Sequence, residues 1–166
     1  MAEQLFLQAV DLKKLSALSG NIDDDKLIQW VYIAQERHII DYLGTDLYER
    51  LQAGIVAADL NANETLILNN YIKQMTVYWS LVEILQHLPY TISNKGVFKH
   101  TSENSEIASK EEVDSLIENY REIAEKFSRR FVNYMCYNSS DFPEYDSNTN
   151  EDINPTSQGK FKGWVL

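Results

Sequence analysis

The sequence predicts an all-α protein, a bundle of about five helices with a short hairpin or extended loop and an extended C-terminal tail. Three observations predict it. Apolar residues recur at intervals of three and four along most of the chain. Helix-starting and helix-stopping residues punctuate those runs at Asp23-Asp24-Asp25, Gly44, Pro89 and Ser109. Only residues 90–109 and the region after Asn138 lose the helical period. The 166 residues suit one domain with one sizeable core, and the 44% apolar composition is that of a globular chain.

The first helix runs over about Ala9 to Leu18 and closes at Ser19-Gly20, where glycine accepts the left-handed conformation that ends helices. The second begins at Asp23-Asp24-Asp25, since aspartates cap free backbone N–H groups and favour the positive end of the helix dipole. Leu27, Trp30, Val31, Ala34 and Ile40 follow at roughly helical spacing, and Gly44 stops the run. Thr45 is suited to cap a third helix, whose stripe is Leu47, Leu51 and Ile55.

The fourth helix, about Glu64 to Leu88, carries Leu68, Tyr71, Ile72, Met75, Tyr78, Trp79, Val82 and Leu85 on one side. Val77, Leu81 and Ile84 add a second apolar side. A helix apolar on more than one side is central in its bundle. The fifth opens on a capping box, Ser109 with Glu112. Its expected core face runs Val113, Leu116, Ile117, Tyr120, Ile123, Ala124, Phe127, Phe131, Tyr134 and Met135. Trp79 and Phe127 are expected to be buried where these two helices pack.

Between them, Ile92, Val97 and Phe98 flank the turn signal Asn94-Lys95-Gly96. Apolar residues in an otherwise exposed loop mark these six positions as candidate contacts with a neighbour. Residues 1–138 therefore read as a helical domain and 139–166 as an extended arm. The arm is polar and holds Pro143 and Pro155, yet it carries Phe142, Tyr145 and the terminal Phe161, Trp164, Val165 and Leu166. A solvated tail has no use for such residues. They dock either on the chain's own core or on another molecule, and as an arm they are candidate anchors on a partner.

The net charge of −10 disfavours binding to phosphate backbones and anionic lipid. No catalytic residue, metal ligand or cofactor is expected. His38, His87 and His100 share no ligand spacing, and the aspartate run lacks the glycine and glutamate of a calcium loop. No phosphate loop or nucleophile elbow is present. The single cysteine, Cys136, reads as buried filler. No stretch of apolar residues suits a membrane span or a secretory signal.

Five stretches taken together carry a resemblance. They are Ser19-Gly20-Asn21-Ile22-Asp23-Asp24-Asp25, Asp41-Tyr42-Leu43-Gly44-Thr45-Asp46-Leu47-Tyr48 and Ile92-Ser93-Asn94-Lys95-Gly96-Val97. Ser102-Glu103-Asn104-Ser105-Glu106 and Phe161-Lys162-Gly163-Trp164-Val165-Leu166 complete the set. In this order the chain resembles the helical head-to-tail connector (adaptor, or head-completion) proteins of tailed phages, especially those of Bacteroidetes, including crAss-like phages.

The resemblance implies a structural virion protein, made in the cytoplasm of the bacterial host and located in the neck. Such a protein forms a homo-oligomeric ring, typically of twelve copies, under the portal protein. It meets the adjacent tail or neck protein below, and encloses DNA without sequence-specific binding. From a different class, the alternative is a small acidic helical regulator that binds a host or phage protein.

Overall fold

The computed structural model describes residues 4–18, 22–87, 90–93, 96–99, 109–149 and 152–156. Its elements in chain order are α1 (Ala9–Leu15), α2 (Asp24–Ala34), α3 (Ile40–Leu43), α4 (Thr45–Ala57), α5 (Ala62–Ile67), α6 (Lys73–His87), β1 (Tyr90–Ser93), β2 (Gly96–Lys99), α7 (Lys110–Asn138) and α8 (Pro143–Ser147). The architecture is an all-α bundle, with β1 and β2 as a small antiparallel hairpin between α6 and α7. In that hairpin Tyr90 pairs with Lys99 and Ser93 with Gly96.

Two π-helical turns interrupt what the periodicity reads as single helices. Gln35–Ile39 joins α2 to α3, and Leu68–Ile72 joins α5 to α6. Each wide turn adds a residue to the helical circuit and rotates the apolar stripe that follows it. The second run begins at Ala62 because Asn61 and Glu64 form a capping box. The expected box at Ser109 and Glu112 starts α7.

α6 is the central helix. On one side Val77, Leu81 and Ile84 meet Leu7, Leu12, Leu27 and Val31 from the N-terminal segment, α1 and α2. On the other, Met75, Trp79 and Val82 share a core with Leu43, Leu47, Leu51, Ala124 and Phe131. Burying each such aliphatic side chain contributes about 1.5–3 kcal/mol, so both faces are needed to hold the bundle. α7 runs antiparallel to α6, with Tyr71 against Tyr134 and Tyr78 against Phe127. α2 and the turn after it also run antiparallel to α6, with Trp30 on His87 and His38 on Trp79.

Three expectations are corrected. Phe127 is only half-buried, whereas Trp79 is buried. On α7 the buried residues begin at Ala124, and Leu116 is 41% exposed. The antiparallel register explains this: α6 ends at His87, so the turns of α7 before Tyr120 reach past its end. Cys136 is exposed, on the outer side of α7.

Candidate interaction site

The arm is not extended throughout. After a 3₁₀ turn at Ser139–Asp141, Pro143 opens α8, where its fixed φ and missing N–H suit a first helical turn. Phe142 is 1% exposed and lies in the chain's own main core. Tyr145 packs edge-on against Phe131, and its burial pushes the phenol up to about 12. These two candidate anchors are therefore tie-downs within the chain, because the 3₁₀ turn at Ser139–Asp141 and the helical turn after it direct both rings inward.

Beyond α8 the chain doubles back as a strap over the junction of α3 and α4. The Thr45 N–H donates to the Ile153 carbonyl at 3.0 Å, and the Ile153 N–H donates to Thr45 Oγ1 at 3.0 Å. The Asp46 N–H donates to Asn148 Oδ1 at 3.2 Å, while Thr149 donates its N–H to Asp46 Oδ2 at 2.6 Å. Asn148 Nδ2 closes the strap on itself through the Ile153 carbonyl and Asn154 Oδ1. The Thr156 N–H donates to the Asp41 carbonyl at 2.8 Å. The free N–H groups that begin α4 are thus satisfied from more than a hundred residues away in sequence, not by a Thr45 cap.

Gly44 makes the approach possible. Its φ is +74°, and a Cβ there would stand 2.6 Å from Pro155 Cδ. The run Gly44-Thr45-Asp46 that the sequence singled out is therefore the receptor for the chain's own strap.

A second polar cluster fastens the π turn after α2 to α6. Glu83 is buried and accepts Arg37 Nη1 at 3.0–3.1 Å and His38 Nε2 at 2.8 Å. The hydrogen bond from His38 and the charge of Arg37 hold its carboxyl below the usual range against the opposing cost of burial. The His38 ring stacks on Trp79 at 3.9 Å between centroids. Gln35, in the first π turn and wholly buried, accepts the Phe6 N–H at 2.6 Å and donates to the Tyr48 hydroxyl at 3.2 Å, pinning the N-terminal segment. Arg50 joins α4 to α5 through Glu64 at 2.9 Å and Asp59 at 2.9 Å. Every one of these charged groups is engaged in holding helices together.

Among the described residues no group of three His, Cys, Asp or Glu side chains is arranged to hold a metal ion. No helix among them is long and apolar enough to cross a membrane. Of the other candidate contacts, Ile92 lies in β1 and Gly96, Val97 and Phe98 in β2. Asn94, Lys95, Phe161, Trp164, Val165 and Leu166 lie outside the described residues.

The fold and the strap define a helical bundle locked by its own strap, with a small hairpin that follows α6 and precedes α7 in the chain. The chain belongs to a family of unknown function, DUF6712, whose model matches residues 39–155. That span starts at the end of the first π turn and ends at Pro155, so it includes both Gly44 and the strap that covers it. No curated protein and no solved structure matches the chain.

Proposed function

We propose that the chain is a connector subunit of a tailed phage, assembling as a ring between the portal and the next neck or tail protein. The hairpin β1–β2 carries this reading. A two-stranded hairpin is marginal in water on its own, so it gains from a partner to pack on. Ile92, Val97 and Phe98 supply it with apolar residues for a neighbouring subunit or ring. The ordered set of sequence stretches that resembles connector proteins points the same way. The acidic charge suits a ring through which DNA passes without being held. The protein acts in this reading by shape and contact, with no catalytic step.

Electron microscopy of the chain mixed with its phage's portal protein tests the proposal. Rings of the chain on the portal are expected. Replacing residues 91–98 by a short Gly-Ser turn is expected to abolish them while leaving the helical circular dichroism intact. A chain that never joins a portal, with or without the hairpin, would remove the reading.

A further inference from the structure

We infer that the apolar stripe on the first half of α7 seats the C-terminal segment, residues 160–166, of a second copy of this chain. The stripe is Val113, Leu116, Ile117, Tyr120 and Ile123. Leu116 is 41% exposed, and the other four are half-buried. Ile117 and Tyr120 pack on the bundle's own core, so the apolar surface left open is that of Val113, Leu116 and Ile123. Around it stand the exposed carboxylates of Glu111, Glu112, Asp114, Glu118 and Glu122. Only Lys110 and Arg121 oppose them in that half, and Arg121 lies 3.7 Å from Glu118.

The segment has the complementary chemistry. Lys160-Phe161-Lys162-Gly163-Trp164-Val165-Leu166 holds two lysines, no Asp or Glu side chain, and four large apolar residues. Aromatic and aliphatic anchors fill the stripe while the lysines meet its acidic rim.

The exit point of the strap favours a second copy over the same chain. Thr156 is held at Asp41. The adjacent Tyr42 faces Ser128, Glu125 and Arg129 of α7. Glu125 and Leu116 are nine residues apart, so they project about 180° apart around the helix. The held end of the strap, Thr156, therefore lies toward one flank of α7, while Leu116 opens on the other. Ten further residues reach roughly 33 Å when extended, enough to bridge to a neighbour. Repeated head to tail around a closed assembly, one arm per copy joins each subunit to the next. The inference rests on the ring reading only in requiring copies side by side.

Disulfide trapping in the full chain tests it. With Cys136→Ser as background, one chain carries Leu116→Cys and a second carries Leu166→Cys. Mixed and mildly oxidised, they are expected to give a disulfide heterodimer between positions 116 and 166. Lys160→Glu with Lys162→Glu is expected to cut its yield roughly tenfold. Glu118→Lys with Glu122→Lys should restore it.

Placing both cysteines in one chain separates the occupants. An exclusively intramolecular 116–166 bond, or no bond between the two chains, overturns the proposal. Unchanged melting temperatures of the substituted chains guard against misfolding as the cause. Rings on the portal without the cross-link would sink the docking alone. A cross-link without any ring would support the docking and sink the ring.

Discussion

Trp79 Nε1 donates to Ser128 Oγ at 3.1 Å, inside the core between α6 and α7. Ser128 in turn donates to the Ala124 carbonyl one turn earlier. A buried indole N–H needs a partner, and a small hydroxyl allows the ring to reach one at helix-packing distance. Trp79→Phe is expected to lose about 1 kcal/mol from the missing bond, and Trp79→Ala about 3–5 kcal/mol from the cavity. Thermal unfolding of the two variants checks the order; equal losses would show that the hydrogen bond, and not the packing, dominates.

Gly44→Ala should cost more than an ordinary glycine substitution. With φ 74° and ψ 159°, Gly44 sits in a region essentially reserved for glycine, which disfavours an L side chain by about 1–3 kcal/mol, and the added methyl would also push Pro155 away. Limited proteolysis should then cut the strap near residues 149–156 faster than in the parent. An unchanged cleavage rate would mean that the strap tolerates displacement from α4.

Asn148 has φ 28°, a conformation that asparagine tolerates better than most residues, and its side chain serves three partners. Asn148→Ala is expected to lower stability by about 1–2 kcal/mol through the lost cap. Truncation after Thr156 should leave the melting temperature of the isolated chain unchanged, whereas truncation after Ser147 should lower it. Calorimetry of both shortened chains makes the comparison. A drop on removing 157–166 alone would assign that segment to the chain's own fold and not to a docking arm.

Glu83 predicts a specific loss in acid. Its folded pKa is lowered from 4.5, chiefly by the His38 hydrogen bond. The unfolded chain therefore takes up this proton first. The contribution to stability is complete above pH 4.5 and disappears as pH falls through the lower folded value. Glu83→Gln should destabilise the chain at neutral pH by about 1–3 kcal/mol. It should also flatten the fall of melting temperature below pH 4.5. The same acid slope in both proteins would place the sensitivity in other carboxylates.

Tyr145 offers an alkaline counterpart. Its pKa is raised to about 12 from 10.0, so its contribution holds below pH 10.0 and fades as pH rises through the folded value. Tyr145→Phe should keep the edge-on contact with Phe131 while removing that part of the alkaline slope. Loss of stability at neutral pH by more than about 1.5 kcal/mol would mean that the hydroxyl has a structural partner of its own.

Much of the helical frame was legible because periodicity and caps are local. The stripe Val77, Leu81 and Ile84 set against Met75, Trp79 and Val82 marked α6 as central, and its two cores use those two sides. Ser109 with Glu112 gave the start of α7, and Asn94-Lys95-Gly96 marked the place of the turn between β1 and β2. Asn61 and Glu64 form the same kind of box, readable by the same rule, and start the run at Ala62 and not at about Glu64.

Other features had no local signal. The π turns at Gln35–Ile39 and Leu68–Ile72 shift an apolar stripe by one residue, which a tolerant period of three or four absorbs. Phe142 and Tyr145 look like anchors for a partner when only their polar surroundings are visible. Their burial depends on the turn after α7 aiming them back at Phe131.

The sequence by itself determined the helical class, the central helix and the place of the hairpin, because apolar period, capping residues and turn residues act within a few positions of one another. The tertiary structure alone decided that Asn148, Thr149 and residues 152–156 form a strap. A hydrogen bond from the Ile153 N–H to Thr45 Oγ1 spans 108 residues, and no local propensity encodes such a pairing. The helical frame first brings the free N–H groups of α4 to the surface; only then do they become a site that Asn148 and Ile153 can satisfy.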